Sequence, residues 1–207
     1  DAISTGFIVS KEQTELITEF CKEKSGRGTL IFTDPIMGDD GKLYNGITED
    51  TVTHMRELIS VADYIIPNYT EAAYLANVAY KEEGTSEEEL HAIIDLLREM
   101  GAKSVVITSA KVKGSNSKSV VGYDQREKSF FRIDFNEIAV RFPGTGDIFS
   151  AVFIGKIMDG KSLCGATKQA MQVVSNMIED IRLGIPLIMI WKEGKSVLWQ
   201  CMLHFHI

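Results

Sequence analysis

The chain has 207 residues, of which 44% are hydrophobic and 25% charged, so it is long enough to bury a core and is neither low-complexity nor fibrous. Its net charge of −7 excludes the basic surface that non-specific nucleic-acid binding needs, though a few placed N–H groups and one metal ion can still hold a nucleotide. No run has the length and apolarity of a membrane-spanning helix and no signal-peptide pattern opens the chain, so a cytoplasmic protein without a membrane partner is expected.

Residues 1–9 open abruptly in a buried-strand pattern. Asp1 is not an initiator residue, and further sequence before it is expected. Ser10 with Gln13 three residues on forms a capping box for a first helix, whose buried face is expected from Leu16, Ile17 and Phe20. Residues 29–33 form a buried strand that stops at Asp34-Pro35, and the loop from 36 to 47 carries three glycines and two more aspartates. Thr48 caps a second helix with Met55, Leu58, Ile59 and Ala62 as its core stripe.

A short strand over 63–67 leads to Asn68-Tyr69-Thr70-Glu71, which opens the next helix. Thr85 and Glu88 read as another capping box, for a helix ending at Gly101. Residues 104–108 are a further buried strand. Alternating segments at 119–123 and 129–133 predict an antiparallel hairpin. Helices follow from about Thr145 to Asp159 and from Ser162 to Arg182. Cys21, Cys164 and Cys201 show no metal-ligand spacing and read as reduced thiols.

Strands alternating with helices predict an α/β domain, a mostly parallel central sheet with helices on both faces. In such sheets ligands gather at the carboxyl ends of the strands. Asp34 and Thr108 stand at strand ends and Asn68 and Glu71 follow one, so a parallel sheet brings them to one rim. The stretch Phe142-Pro143-Gly144-Thr145-Gly146-Asp147 is a glycine-rich turn feeding an apolar helix. Backbone N–H groups and the helix dipole make such a turn an anion site. Asp147 within it has two readings: a carboxylate complementing the helix dipole, or a base for whatever attacks a bound phosphate. Asp34-Pro35 is equally a turn initiator, and Asn68 with Glu71 equally a helix cap. Together the acidic groups suit Mg²⁺, which takes oxygen ligands and keeps several waters.

Four segments, Asp34-Pro35-Ile36-Met37-Gly38-Asp39, Pro67-Asn68-Tyr69-Thr70-Glu71, Val105-Val106-Ile107-Thr108-Ser109 and Gly144-Thr145-Gly146-Asp147, resemble in order and spacing the pyridoxal kinase branch of the ribokinase-like superfamily. The resemblance runs from Asp1 to about Pro186 and implies a three-layer α-β-α ribokinase-like fold. It implies ATP-dependent phosphorylation of the primary alcohol of a B6 vitamer, with Mg²⁺ and a monovalent cation such as K⁺ as a further candidate. Asp147 would be the general base and Gly144, Thr145 and Gly146 the anion hole. Asp34 and Glu71 would hold the metal, partly through water. Asn68, Thr108, Ser109 and Phe142 would contact the nucleotide, and Asp39 and Tyr44 would lie in the closing lid. Homodimers are implied by the same analogy.

Two departures stand beside the resemblance. The family's opening segment, which carries much of the vitamin pocket, precedes the part matched here. Residues 187–207 depart from the family pattern, and His204-x-His206 reads as tail rather than as a metal site. Two alternatives remain open: a hydroxymethylpyrimidine kinase, whose branch usually carries cysteine at the position of Asp147, and a nucleotide-binding module without turnover.

Overall fold

The computed structural model describes residues 1–8, 10–138 and 144–183, and the backbone of two short strands at Ile188–Met189 and Trp199–Cys201. Phe142, His204 and His206 lie outside the described residues.

Six strands make the central sheet: β1 (Ala2–Thr5), β2 (Leu30–Thr33), β5 (Tyr64–Ile65), β6 (Ser104–Lys111), β7 (Lys118–Asp124) and β8 (Ser129–Phe135), hydrogen-bonded in that order. The first four run parallel, and the β7–β8 hairpin adds two antiparallel strands. A separate small hairpin, β3 (Gly38–Asp39) and β4 (Lys42–Leu43), stands off the sheet. The two tail strands, β9 and β10, pair antiparallel with each other.

Successive strand residues point to opposite faces of the sheet, and each face has its own core. Ile31, Ile65, Val105, Ile107 and Val121 face one way, against α1 (Lys11–Ser25), α2 (Glu49–Ile59), α3 (Tyr69–Ala76) and α4 (Glu87–Glu99). Phe32, Tyr64, Ile66, Val106 and Val120 face the other, against α5 (Thr145–Met158) and α6 (Leu163–Arg182). The result is the expected three-layer arrangement. The second core is aromatic at its centre. Phe32 and Tyr64 stack at 4.8 Å, and the Phe153 ring meets both edge-on at 6.3 and 6.2 Å, which seats α5 on the sheet.

Three expectations are corrected. On α1, Leu16 is 62% and Phe20 49% exposed, while Thr14, Thr18 and Cys21 are buried. The helix lies at the β1 end of the sheet and packs on α2 and β2, so the stripe one step round from the apolar one turns inward. The cap of α4 is Ser86, whose hydroxyl accepts from Glu89 N–H, one residue later than expected. Thr85 is occupied elsewhere: its backbone bridges Lys111 and Lys113 beside the sheet. The opening strand is shorter than residues 1–9 and ends at Thr5. The Ser10–Gln13 capping box, the α2 stripe and the β7–β8 hairpin form as expected.

Candidate active site

The site grows from the ends of the parallel strands. β2 ends at Thr33, and Asp34 follows with its N–H bonded to the carbonyl of Thr5, which fixes it beside the end of β1. β5 runs out through Pro67 to Asn68, and Asn68 bridges Thr108 on β6. The register of β6 shifts between Ile107 and Ala110, where Ser109 takes a left-handed φ of 57°. A non-glycine residue held there stores strain, a condition that clusters at functional sites.

α5 enters from the other face. Its N-cap is Gly144, left-handed with φ of 87°, which has no side chain to cap the helix, whereas Ser10, Asn68, Ser86 and Ser162 cap theirs. A Cβ built on Gly146 would meet nothing within 4 Å, so the space over the first turn is open. Asp147 lies exposed in that turn.

These elements enclose a cavity of about 650 Å³. Of the residues expected at the site, Asp34, Asp39, Tyr44, Asn68, Glu71, Thr108, Ser109, Gly144, Thr145, Gly146 and Asp147 all line it. Its lining also includes apolar residues beside Lys118, Asn136, Glu137 and Ser175. Val120, Phe135 and Ile138 come from the β7–β8 side and Met171, Val174 and Ile178 from α6. The α6 contribution was not foreseen; its apolar residues at spacings of three and four look the same from sequence whether they face a core or a cavity.

A second cavity of about 270 Å³ shares Asp34, Ile36, Asp147 and Ser150 with the first and is further walled by Ser4, Thr5, Gly6 and Ile154. Ser4 and Thr5 end β1 and Gly6 follows it, so the strand-end rule that singles out Asp34 applies to them equally. Asp34 and Asp147 thus stand at the junction of a larger and a smaller space.

Two carboxyls, Asp34 half-buried and Glu71 buried, are electrostatically unusual. Burial pushes Asp34 up to about 6; the Ser150 hydroxyl, donating to Oδ2 at 2.8 Å, pulls it down, and the Asp147 charge pushes it up again. Glu71 is 3% exposed, and burial pushes it up to about 8 against the pull of backbone N–H groups, with the Asp34 charge adding to the rise. Met37 N–H donates to Glu71 Oε1 at 3.0 Å and Asn68 N–H to Oε2 at 2.8 Å, so Glu71 completes a capping box and also ties the 36–38 loop to α3. Asn68 is similarly engaged: its Oδ1 accepts from Glu71 N–H and its Nδ2 donates to the Gly38 carbonyl. Among the described residues no three His, Cys, Asp or Glu side chains stand close enough together to hold a metal ion.

A match to the phosphomethylpyrimidine kinase family spans residues 1–186. The chain belongs to that family. Within it, this phosphomethylpyrimidine kinase family member is similar to the pyridoxal kinase of Dictyostelium discoideum, 30% identical over 193 residues covering 86% of this chain and 61% of the relative. It is also similar to the hydroxymethylpyrimidine/phosphomethylpyrimidine kinase of Aquifex aeolicus, 29% identical over 181 residues, 86% of this chain and 67% of the relative. Among solved structures it resembles a protein of Bacteroides thetaiotaomicron described as a phosphomethylpyrimidine kinase, in a crystal form with pyridoxal. The TM-score is 0.79 at 35% identity, covering 88% of this chain and 63% of that one. The pyridoxal kinase of Lactobacillus plantarum matches with a TM-score of 0.75 at 27% identity, over 89% and 64% of the two chains. The chain therefore spans about six-tenths of the length of most of these relatives, and the ribokinase-like fold they share is the one described above.

Proposed function

We propose that this chain carries the phosphoryl-transfer site of an ATP-dependent kinase acting on the primary alcohol of a B6 vitamer. The observation that supports this most is one cavity that gathers residues from four distant segments around a glycine-capped helix N-terminus and an exposed aspartate. Phosphoryl transfer asks for little else: a cradle for phosphate oxygens, charge compensation, and a group to take the alcohol's proton.

In this reading the triphosphate lies in the larger cavity, its γ-phosphate over the Gly144-Thr145-Gly146 turn and its base against Val120, Phe135 and Met171. The acceptor enters from the smaller cavity. Asp147, at the junction, takes the proton of the primary alcohol as the alcohol oxygen bonds to the γ-phosphorus. The bond from that phosphorus to the bridging oxygen breaks, and its electron pair leaves with ADP. Asn68, Thr108 and Ser109 orient the nucleotide, and Asp39 and Tyr44 cover it.

Asp34 and Glu71 fit a divalent cation. They are neighbouring carboxyls, Asp34 half-buried and Glu71 buried, whose proton affinities are both raised, which a metal ion between them would reverse. Mg²⁺ accepts so sparse a set because it retains water. When bound it would neutralise charge on the transferring phosphate. Glu71, already holding two backbone N–H groups, would reach it through water.

The B6 assignment draws on the relatives named pyridoxal kinase and on Asp147, where the hydroxymethylpyrimidine branch usually carries cysteine. Coupled assays with MgATP and each of pyridoxal, pyridoxamine, pyridoxine and hydroxymethylpyrimidine test it. Turnover of a vitamer is expected; turnover of hydroxymethylpyrimidine alone replaces the substrate. A second reading is a module that binds nucleotide without turnover, since Asp34, Asn68 and Glu71 are all engaged in hydrogen bonds within the chain. Calorimetric binding of MgATP with no turnover of any acceptor would establish it.

A further inference from the structure

The hairpin β3–β4 overhangs the larger cavity, and its turn is stiff. Asp40 and Gly41 form a two-residue loop with φ of 48° and 76°, between the pairs Asp39↔Lys42 and Gly38↔Leu43. Two successive left-handed residues in such a loop make the type I′ turn that Asp-Gly favours. A Cβ on Gly38 would lie 2.3 Å from the Lys42 carbonyl oxygen, so the strands approach more closely than any side chain allows. Yet a hairpin with two residues on each side does not hold itself in water. Its place is set by what it leans on.

That support comes from α3 and the segment after it. Asn68 reaches the Gly38 carbonyl at 2.8 Å. Gly41 N–H donates to Thr70 Oγ1 at 2.9 Å. The Tyr80 ring presses on the turn so closely that a Cβ on Gly41 would stand 2.6 Å from Cδ1. Thr70 is buried, and the Tyr80 ring rests in turn on Tyr69, 5.0 Å between centroids. Asp39 and Asp40, carried by the hairpin, line the cavity.

We infer that Thr70 and Tyr80 are positioning residues, which pin the Asp40-Gly41 turn and thereby set where Asp39 and Asp40 stand over the bound nucleotide. The inference deepens the kinase reading and rests on it for its ligand. The hydroxyl of Thr70 fixes the turn laterally through one N–H, and the ring of Tyr80 fixes its height. Because the hairpin moves as a unit, loosening either contact displaces both carboxyls together.

The test compares the wild-type chain with Thr70→Val, which keeps volume and branching but removes the acceptor, with Thr70→Ser, and with the pair Tyr80→Phe and Tyr80→Ala. Three quantities are read: hydrogen exchange at the Gly41 amide, melting temperature, and the Kd for MgATP. For Thr70→Val and Tyr80→Ala, Gly41 exchange is expected to quicken about tenfold or more, and the MgATP Kd to rise about 5- to 20-fold. Thr70→Ser and Tyr80→Phe should restore both, while melting temperatures stay close to wild type. Unchanged Gly41 exchange in Thr70→Val removes the pinning contact; faster exchange with unchanged Kd removes its role at the site. A wild-type chain that binds no MgATP sinks the kinase reading and with it the role assigned to Thr70, whereas the Gly41 measurement still decides whether the turn is pinned.

Discussion

Ser150 Oγ donates a 2.8 Å hydrogen bond to Asp34 Oδ2, joining residues 116 positions apart in the chain. Ser150 lies one helical turn beyond Asp147 on α5, so it brings the end of β2 and the start of α5 to a common register. It also holds the Asp34 carboxyl in its ionised form against the burial that opposes it. Replacing Ser150 by Ala should raise the proton affinity of Asp34 beyond about 6 and lower kcat near neutrality roughly tenfold, the scale of a hydrogen bond to a charged group. The acid limb of the kcat profile should move to higher pH, which a packing defect alone would not do. Rates measured from pH 5.5 to 9 for wild type and Ser150→Ala check this.

Asp147→Asn keeps size and removes the base. A loss of about 10²- to 10⁴-fold in kcat is expected, with the Kd for MgATP within about threefold of wild type because the Gly144-Thr145-Gly146 backbone is untouched. Paired calorimetry and rate measurement decide it. A variant that keeps most of its turnover takes Asp147 out of the base role.

Stability should depend on pH with a definite sign. Asp34 rises from 3.8 to about 6 and Glu71 from 4.5 to about 8 on folding, so the folded chain binds protons the unfolded chain has released. Stability contributed by these groups is therefore highest below pH 4 and falls as pH rises, through about 6 for Asp34 and about 8 for Glu71. In the metal-free chain this component should cost at least about 1 kcal/mol between pH 5 and 8, roughly 2–4 °C in Tm. Saturating MgATP should flatten the dependence, since a cation favours the ionised forms. The Glu71→Gln variant should lose the part of the slope above pH 6. Thermal melts across the range, with and without MgATP, measure it.

Phe153 links the core to the site. Fully buried, it stacks on Phe149 at 6.1 Å and meets Phe32 and Tyr64 edge-on, and it follows Asp147 on the same helix. Phe153→Ala should cost about 3–5 kcal/mol by denaturant unfolding, while Phe153→Leu should cost less than that. If α5 is seated by this ring, the Leu variant should also bind MgATP more weakly in proportion to its lost order at residues 144–147, visible as faster amide exchange there.

Much of the fold could be read from local pattern. The Ser10–Gln13 box, the Met55, Leu58, Ile59 and Ala62 stripe and the two strands of the β7–β8 hairpin depend on residues within a turn or two of each other, and they form as expected. The misses have non-local causes. Leu16 and Phe20 carry a helical apolar spacing, yet α1 turns Thr14, Thr18 and Cys21 inward because of where it sits beside α2 and β2. Thr85 has the spacing of a cap, but a bridge to Val112 claims its backbone. The Asp40-Gly41 turn carries a hairpin signal that passed as loop, because strands of two residues show no alternation.

Local pattern alone was enough for the strand-and-helix alternation, the helix caps at Ser10 and Asn68, the glycine-rich turn before Asp147 and the set of polar residues at strand ends. Those follow from backbone propensity and short-range hydrogen bonding. Only the tertiary structure decided that β1, β2, β5 and β6 lie side by side in parallel, which carries Asp34, Asn68 and Thr108 to one rim facing Asp147. It alone decided that Ser150 holds Asp34, that Glu71 binds the loop that precedes the hairpin, and that Thr70 and Tyr80 pin the hairpin's turn. Such partners are set by which elements pack together, a long-range balance of burial and register that no stretch of residues records alone.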